Sequence, residues 1–314
     1  MKIAVAARAC RLAPLIILSF SARASAIDVS DELTAGALSS NLQRSTSPYL
    51  SDRLGTGADA TKALSLSADG TYTRYFRANH VPGENIFQFL GAADYEISDH
   101  LSFGLDLRGS PPSTAVTPTA TGSVKSRTSL VGAGASAEYD TAGDGDFETI
   151  AESYVGLTSY STTQKARSST KGSPSSLLQW RASLGVTEIF FRETEGRVFA
   201  SYYAYSTDPG GTGYFGASVF GREAVGEGLP LEPLRWSLRP SVEQRLGPVK
   251  LIGFFQYGHY VDELGWNVAV GLKAQVKVND AWRVWASINF QRDVESTGEN
   301  LSIPWGALGA RVFF

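Results

Sequence analysis

The last fifty residues alternate between apolar and polar side chains with a period of two. Residues 266–278 place tryptophan, valine, leucine or alanine at every second position and asparagine, glycine, lysine, glutamine or alanine between them. Residues 282–291 repeat the pattern after a short Asn-Asp turn, and a third such segment ends the chain. A period of two is that of a β-strand with one apolar face. The C-terminal part of the chain is therefore predicted to be consecutive antiparallel strands.

The last strand carries an apolar face that ends on the terminal phenylalanine. Its members are Leu308, Ala310, Val312 and Phe314. Aromatic residues lie near the ends of these strands, which are about as long as the roughly 9–11 residues that cross a bilayer. This pattern resembles the C-terminal assembly signal of bacterial outer-membrane β-barrels. The resemblance implies a closed transmembrane barrel in the outer membrane, recognised there by the outer-membrane assembly machinery.

The first 26 residues have the pattern of a secretory signal peptide. A basic start is followed by an apolar run over residues 12–20 and by Ala24-Ser25-Ala26, a small-x-small cleavage site. The only cysteine, Cys10, lies in this segment. The processed chain is therefore expected to contain no disulfide, thiol nucleophile or cysteine-bound metal.

Charge and hydropathy narrow the class of protein further. Without residues 1–26, which hold four basic residues and no acid, the 28 basic and 31 acidic residues become 24 and 31, a net charge of −7. This balance argues against a nucleic-acid partner. A secreted β-sandwich would also alternate, but the polar faces hold too many charges for a packed core. A membrane barrel, which satisfies its backbone groups by closing on itself, is favoured.

The alternation defines the predicted domain organisation. Residues 27–60 show no period of two and are predicted to be a periplasmic lead or a small plug. Residues 61–314 are predicted to form the barrel, with long loops at 110–126 and 161–176. Bacterial barrels have even strand numbers. We predict an all-β, up-and-down antiparallel barrel of about twelve strands, with fourteen as the alternative, because residues 226–233 resist a strand conformation.

The polar faces are predicted to line the interior, and their charges are segregated along the sequence. The acidic members are Asp94, Glu96, Asp106, Glu148 and Glu152, with Arg108 as the main cation among the earlier strands. The basic members are Arg181, Arg235, Arg239, Lys273, Lys277 and Arg283, with Glu243 and Asp262 as acids among the later strands. Sequential strands are neighbours in an up-and-down barrel, so one wall should be acidic and the other basic. Two outcomes stay open: a narrow water-filled pore, or opposed charges that pair across the interior and close it.

The functional expectation is a passive outer-membrane pore for small polar or charged solutes. The alternative is a non-conducting structural, adhesive or envelope-assembly barrel. A hydrolase that uses His259 is the least favoured possibility, because no serine or aspartate motif accompanies that histidine. The chain is therefore predicted not to be an enzyme.

No sequence pattern indicates a cofactor or a dedicated metal site. Carboxylates alternate over residues 140–148 and could hold calcium, but Asp-Gly sequences are ordinary turn formers. The expected partners are outer-membrane lipid and lipopolysaccharide, whose phosphates suit the basic residues of segment 161–176. A periplasmic or envelope protein partner stays open.

Overall fold

The computed structural model describes residues 27–40, 45–76, 84–119, 122–141, 147–166, 173–191, 193–207, 234–261, 265–294 and 300–314. These residues form fourteen β-strands. The strands are β1 (Ile27–Ser40), β2 (Ser45–Asp59), β3 (Leu64–Tyr75), β4 (Glu84–Ser98), β5 (Leu101–Thr119), β6 (Gly122–Asp140), β7 (Phe147–Ala166), β8 (Ser173–Phe190), β9 (Thr194–Tyr205), β10 (Leu234–Leu246), β11 (Val249–Tyr260), β12 (Trp266–Lys277), β13 (Trp282–Val294) and β14 (Asn300–Phe313). None of the described residues lies in a helix long and apolar enough to cross a membrane.

The strands form one closed barrel in which each pairs with its neighbours in sequence. Closure is made by antiparallel pairing of β1 with β14, from Ser30 opposite Phe313 to Leu38 opposite Trp305. The amide of Phe314 continues this ladder and donates to the carbonyl of Val29 at 2.9 Å. Both barrel termini and the short turns lie at one end, which in outer-membrane barrels is the periplasmic end. All pairings are antiparallel, as the alternation predicted.

Two strands, β1 and β2, occupy the segment that was predicted to be a lead or plug. Strands β3 to β14 are the twelve strands expected over residues 61–314. Strands β1 and β2 are additional, and they raise the total to the fourteen observed. The period is weak in β1 because Asp31 interrupts its otherwise apolar outward positions, and because small residues, Ala35 outward and Gly36 inward, reduce the contrast between the two faces. Pairing on both sides, rather than local hydrophobicity, fixes this segment as strand.

The predicted long loops are also corrected by the structure. Strands β5 to β8 are 18 to 20 residues long, whereas the other strands have 12 to 15. Most of segment 110–126 and both ends of segment 161–176 are therefore strand. This extension needs no apolar alternation where it exceeds the roughly 9–11 residues that lipid covers. Residues 208–233, including 226–233, and residues 142–146 lie outside the described residues.

The barrel wall has an apolar outer face and a mixed inner face. On β13 the outward positions include Trp282 and Ile288, which are 44% and 69% exposed, and the inward positions include Arg283 and the fully buried Gln291. The apolar residues Leu308, Ala310 and Val312 of the predicted assembly signal lie on the outer face beside β13. Lipid-facing apolar side chains alternate with inward polar ones along such strands.

The turn between β10 and β11 gives a prediction about stability. Gly247 has a φ of 60° there, a conformation that costs a residue with a Cβ about 1 kcal/mol or more. Gly247→Ala is expected to lower the free energy of unfolding from lipid vesicles by about that amount. The matched control is Gly70→Ala on β3, where an added Cβ also meets no atom within 4 Å but the φ is not positive. Equal stability of the two variants in denaturant titrations would contradict the role of the turn.

Candidate functional site

The inner face is charged near the periplasmic end, and both signs occur on neighbouring strands: Arg108 lies inward on β5, and Glu195 and Glu243 lie inward on β9 and β10. The predicted residues Asp94, Glu96, Asp106, Glu148, Glu152, Arg181, Arg239, Lys273, Lys277 and Arg283 all occupy inward positions by strand register. Arg235 lies at a register shift between Leu234 and Trp236, so alternation assigns it no face. The acidic residues are brought together on β4, β5 and β7, and the basic ones lie on β8, β10, β12 and β13.

The ion pairs of Arg53, Arg311, Glu195, Glu243 and Lys277 run along the wall. Arg53 on β2 donates two hydrogen bonds to Asp69 on β3, at 3.1 and 3.0 Å. Arg311 on β14 lies 2.6 Å from the carboxylate of Glu32 on β1. The other pairs join Glu243 to Lys250 and Arg245, Glu195 to Arg197, and Lys277 to Asp280. Each of these pairs thus joins residues of one strand, of two adjacent strands or of one turn.

The described residues do not fill the periplasmic half of the interior. Leu90 lies inward on β4, opposite Arg108, and still exposes 39% of its surface. Asp94, Glu96 and Glu138 are also exposed although they occupy inward positions. Inward side chains can be solvent-exposed only if the lumen is not filled at that height.

Aromatic rings lie flat against the inner wall, and each of three rings is seated on a glycine of the next strand. Gly185 lies directly opposite Phe199, Gly271 opposite Phe254, and Gly309 opposite Trp285. A Cβ added at any of these glycines would collide with the opposite ring. A cation covers each ring: Arg197 lies 5.6 Å from Phe199, Arg239 4.9 Å from Phe254 and Lys273 4.2 Å from Trp285. We call these three glycine–ring–cation layers the wall stacks.

A related arrangement lies on β5 to β9, about midway up the barrel. Arg108 and Arg181 both face the ring of Tyr154, at 5.9 and 5.4 Å, and Arg181 also faces Tyr203 at 5.8 Å. The Nε of Arg181 donates to the hydroxyl of Ser183 at 3.0 Å. Cation–π contacts of this kind hold long cationic side chains in one geometry. Arg181 was predicted from the sequence, but its contacts with the two rings were not, because they depend on the register of neighbouring strands.

Toward the extracellular end the inner face becomes buried, and apolar side chains share it with buried polar ones such as Thr128, Thr162 and Asp293. We call the apolar members the apolar ring: Tyr49, Ile86, Leu130, Tyr160, Leu177, Leu234, Tyr260, Leu301, Ile303 and Trp305, each at most 9% exposed. A hydrogen-bond chain links part of it, from Tyr160 to Gln179 at 3.1 Å, from Gln179 to Tyr205 at 3.2 Å, and from Tyr205 to the carbonyl of Leu234 at 2.8 Å. The apolar ring was not predicted from the sequence, because apolar side chains were expected to face lipid.

The outer face carries aromatic residues near the extracellular end, including the residue considered for hydrolysis. The ring of His259 stacks on Trp236 at 6.0 Å, and its Nδ1 lies 3.0 Å from the carbonyl oxygen of Tyr260. Tyr257 packs against Trp236 at 5.3 Å and against Trp266 at 6.4 Å. These are positions of an interfacial aromatic girdle.

The described residues contain no group of three histidine, cysteine, aspartate or glutamate side chains that could hold a metal ion. Part of segment 140–148, considered for calcium, lies outside the residues that the structure describes, as do the side chains of Lys165, Arg167 and Lys171.

No protein-family model matches the chain, and no curated protein matches it either. Among solved structures it is similar to the CymD monoaromatic hydrocarbon channel, with a TM-score of 0.55 and 8% identity over 92% of this chain and 88% of that chain. It is also similar to the toluene transporter TbuX of Ralstonia pickettii, with a TM-score of 0.54 and 9% identity over 92% of this chain and 89% of that chain. At these identities the likeness establishes the fold: the chain is folded as a bacterial outer-membrane β-barrel.

Proposed function

We propose that this chain is a passive outer-membrane channel for small solutes. Its lumen would be wide and charged at the periplasmic end and narrow at the extracellular end, where the apolar ring lies among buried polar side chains. A fourteen-stranded barrel is wider than the eight-stranded barrels that side chains fill and narrower than the sixteen-stranded porins. The two similar structures, described as a hydrocarbon channel and a toluene transporter, support a transport role.

The observation that carries the proposal is that the ion pairs of Arg53, Arg311, Glu195, Glu243 and Lys277 lie along the wall. A barrel whose opposed charges met across the lumen would be closed, which is the alternative that the sequence left open. Instead, Arg53–Asp69 and Arg311–Glu32 each join adjacent strands. Because each long side chain is held against the wall, the charges can act on a passing solute without blocking it.

The purified protein is therefore expected to conduct ions in planar lipid bilayers in potassium chloride. Since the apolar ring forms the narrow part, Trp305→Ala is expected to raise single-channel conductance by removing an indole that is 9% exposed on the inner face. The matched control is Trp236→Ala, which removes an indole from the outer face and should leave conductance unchanged.

Two results would count against the proposal. Absence of current above background from correctly folded protein would favour the non-conducting barrel. Equal conductance of Trp305→Ala and wild type would show that the apolar ring is not the narrow part of the lumen.

A further inference from the structure

Charged side chains on the outer face of the barrel are separated by sign along the strands. We compare strand residues whose side chains are described and whose register fixes their face. The outward acids lie within eight residues of the periplasmic ends of their strands, whereas the outward arginines lie eleven or more residues from those ends. The acids are Asp31, Asp52 and Glu188, and the arginines are Arg74, Arg127 and Arg292. The described outer face is therefore positive at its extracellular edge.

Two of these arginines lie at the depth where lipid chains give way to headgroups. Arg74 is the eleventh residue of β3 and Arg292 the eleventh of β13, counted from the periplasmic end. A tilted strand crosses the hydrocarbon layer in roughly 9–11 residues. Leu50, directly opposite Arg74, and Phe290, the next outward residue below Arg292, are 41% and 44% exposed. Each guanidinium is therefore at the upper border of lipid-facing apolar surface.

Arg74 lies beside a second hydrogen-bond donor. Its guanidinium is 5.1 Å from the ring centroid of Phe76, the next outward residue toward the extracellular end. Asn85 lies directly opposite Arg74 on β4, and its Oδ1 accepts a hydrogen bond from the hydroxyl of Tyr72 at 2.8 Å. That bond leaves Nδ2 of Asn85 as a donor beside the guanidinium. Guanidinium and amide N–H groups in one place suit the acceptor oxygens of a phosphate.

Arg292 has a similar neighbour and, like Arg74, no carboxylate partner within the described part of the chain. Its Nη2 donates to Oδ1 of Asn300 on β14 at 3.2 Å. The ion pairs of the described residues include neither arginine. Asp52 is diagonal to Arg74 across β2 and β3, but the Arg74 side chain extends the other way, over Phe76. Both guanidinium groups can therefore take an anionic group from outside the chain.

From this arrangement we infer that Arg74 and Arg292 each bind a phosphate group of lipopolysaccharide in the extracellular leaflet. The inference concerns the outer face and goes beyond the proposed channel. A phosphate carried on acyl chains matches an arginine directly above lipid-facing apolar surface, whereas a free phosphate would leave that surface unused. A second copy of this chain is a poor match, because in one membrane its outward acids would lie at a different depth.

Deep-rough lipopolysaccharide is the probe, and native mass spectrometry of the processed chain in detergent measures how many molecules bind and how tightly. The wild type is expected to bind two. Arg74→Gln and Arg292→Gln are each expected to weaken one of the two about tenfold, the effect of losing one charge-assisted hydrogen bond. Asn85→Leu should weaken the site at Arg74 without a change of charge. The matched control is Arg283→Gln, because Arg283 also covers a phenylalanine ring, Phe313 at 4.7 Å, but on the inner face.

Each alternative ligand predicts a different result. Binding that is the same in Arg74→Gln, Arg292→Gln and Arg283→Gln would overturn both sites. Equal binding of intact and dephosphorylated lipopolysaccharide by the wild type would overturn recognition of phosphate. Phosphatidylglycerol that binds as tightly and is weakened by the same variants would overturn lipopolysaccharide as the specific ligand, and displacement by inorganic phosphate would overturn the lipid.

Folding of each variant is checked by its heat-dependent electrophoretic mobility. Arg74→Lys replaces Arg74→Gln if the latter does not fold, and it too should weaken binding, because an ammonium cannot bind phosphate in a bidentate way. A folded barrel that carries no current would refute the proposed channel but should still bind lipopolysaccharide at both arginines.

Discussion

Removing residues 27–43 from the processed chain is expected to abolish the folded barrel. This deletion takes away β1, which pairs with β14 on one side and β2 on the other. The remaining edges, β2 and β14, run parallel to each other, so thirteen strands cannot close in an antiparallel way. In lipid, each unpaired backbone group costs several kcal/mol, and an open edge leaves a row of them. The measurement is refolding from urea into lipid vesicles, followed by circular dichroism and heat-dependent electrophoretic mobility.

If residues 27–43 belonged to a lead or plug, the same deletion would have the opposite result. A barrel without its lead would still fold, and one without its plug would conduct more. The matched control carries, in place of residues 27–43, a segment of the same length and composition whose order is shuffled so that the alternation is lost. This control should also fail to fold, since the barrel needs the pattern of Leu33 and Ala35 against Glu32 and Thr34 rather than the length. A folded, conducting deletion variant would refute β1 as part of the wall.

The strands that the sequence predicted well are those in which lipid and lumen impose opposite chemistry. In β12 and β13, valine, leucine and isoleucine alternate with lysine, glutamine and asparagine, so period, face and turn could all be predicted. In β1 and β2 the outward positions include Asp31 and Asp52, and the inward ones include Gly36 and Gly55. Local pattern is weak there, and the closing partner β14 lies more than 250 residues away in sequence. Long-range pairing decided those strands.

In the interior, too, some features follow from the sequence of a single strand and others depend on how several strands pair. Which charges lie inward on β4 or β12 follows from a period of two. That Phe254 rests on Gly271 and lies under Arg239 depends on the register of three strands. The apolar ring was missed for another reason: Leu177 and Ile303 have the chemistry of lipid-facing residues, and only the barrel's closure places them inside.

The wall stacks carry the other large expected effect. Gly271→Val is expected to lower single-channel conductance and to reduce stability by about 1–3 kcal/mol, the usual range for overpacking. An added Cβ would collide with the ring of Phe254 and with the amide of Asn289, the neighbours on each side. The strand backbone cannot retreat, because β12 is paired along its whole length with β11 and β13. The ring of Phe254, with the guanidinium of Arg239 that covers it, must therefore move toward the lumen.

Two further variants distinguish displacement of the Phe254 ring into the lumen from a general loss of stability. Gly57→Val adds the same side chain at an inward glycine where a Cβ meets only one backbone oxygen, 3.7 Å away, and should leave conductance unchanged. The double variant Gly271→Val/Phe254→Ala removes the ring that the valine displaces, and conductance should return toward that of the wild type. If the conductance of the double variant is as low as that of Gly271→Val, Phe254 is not the side chain that enters the lumen. Full recovery would mean that an inward glycine keeps the channel open by giving a neighbouring aromatic ring a place on the wall.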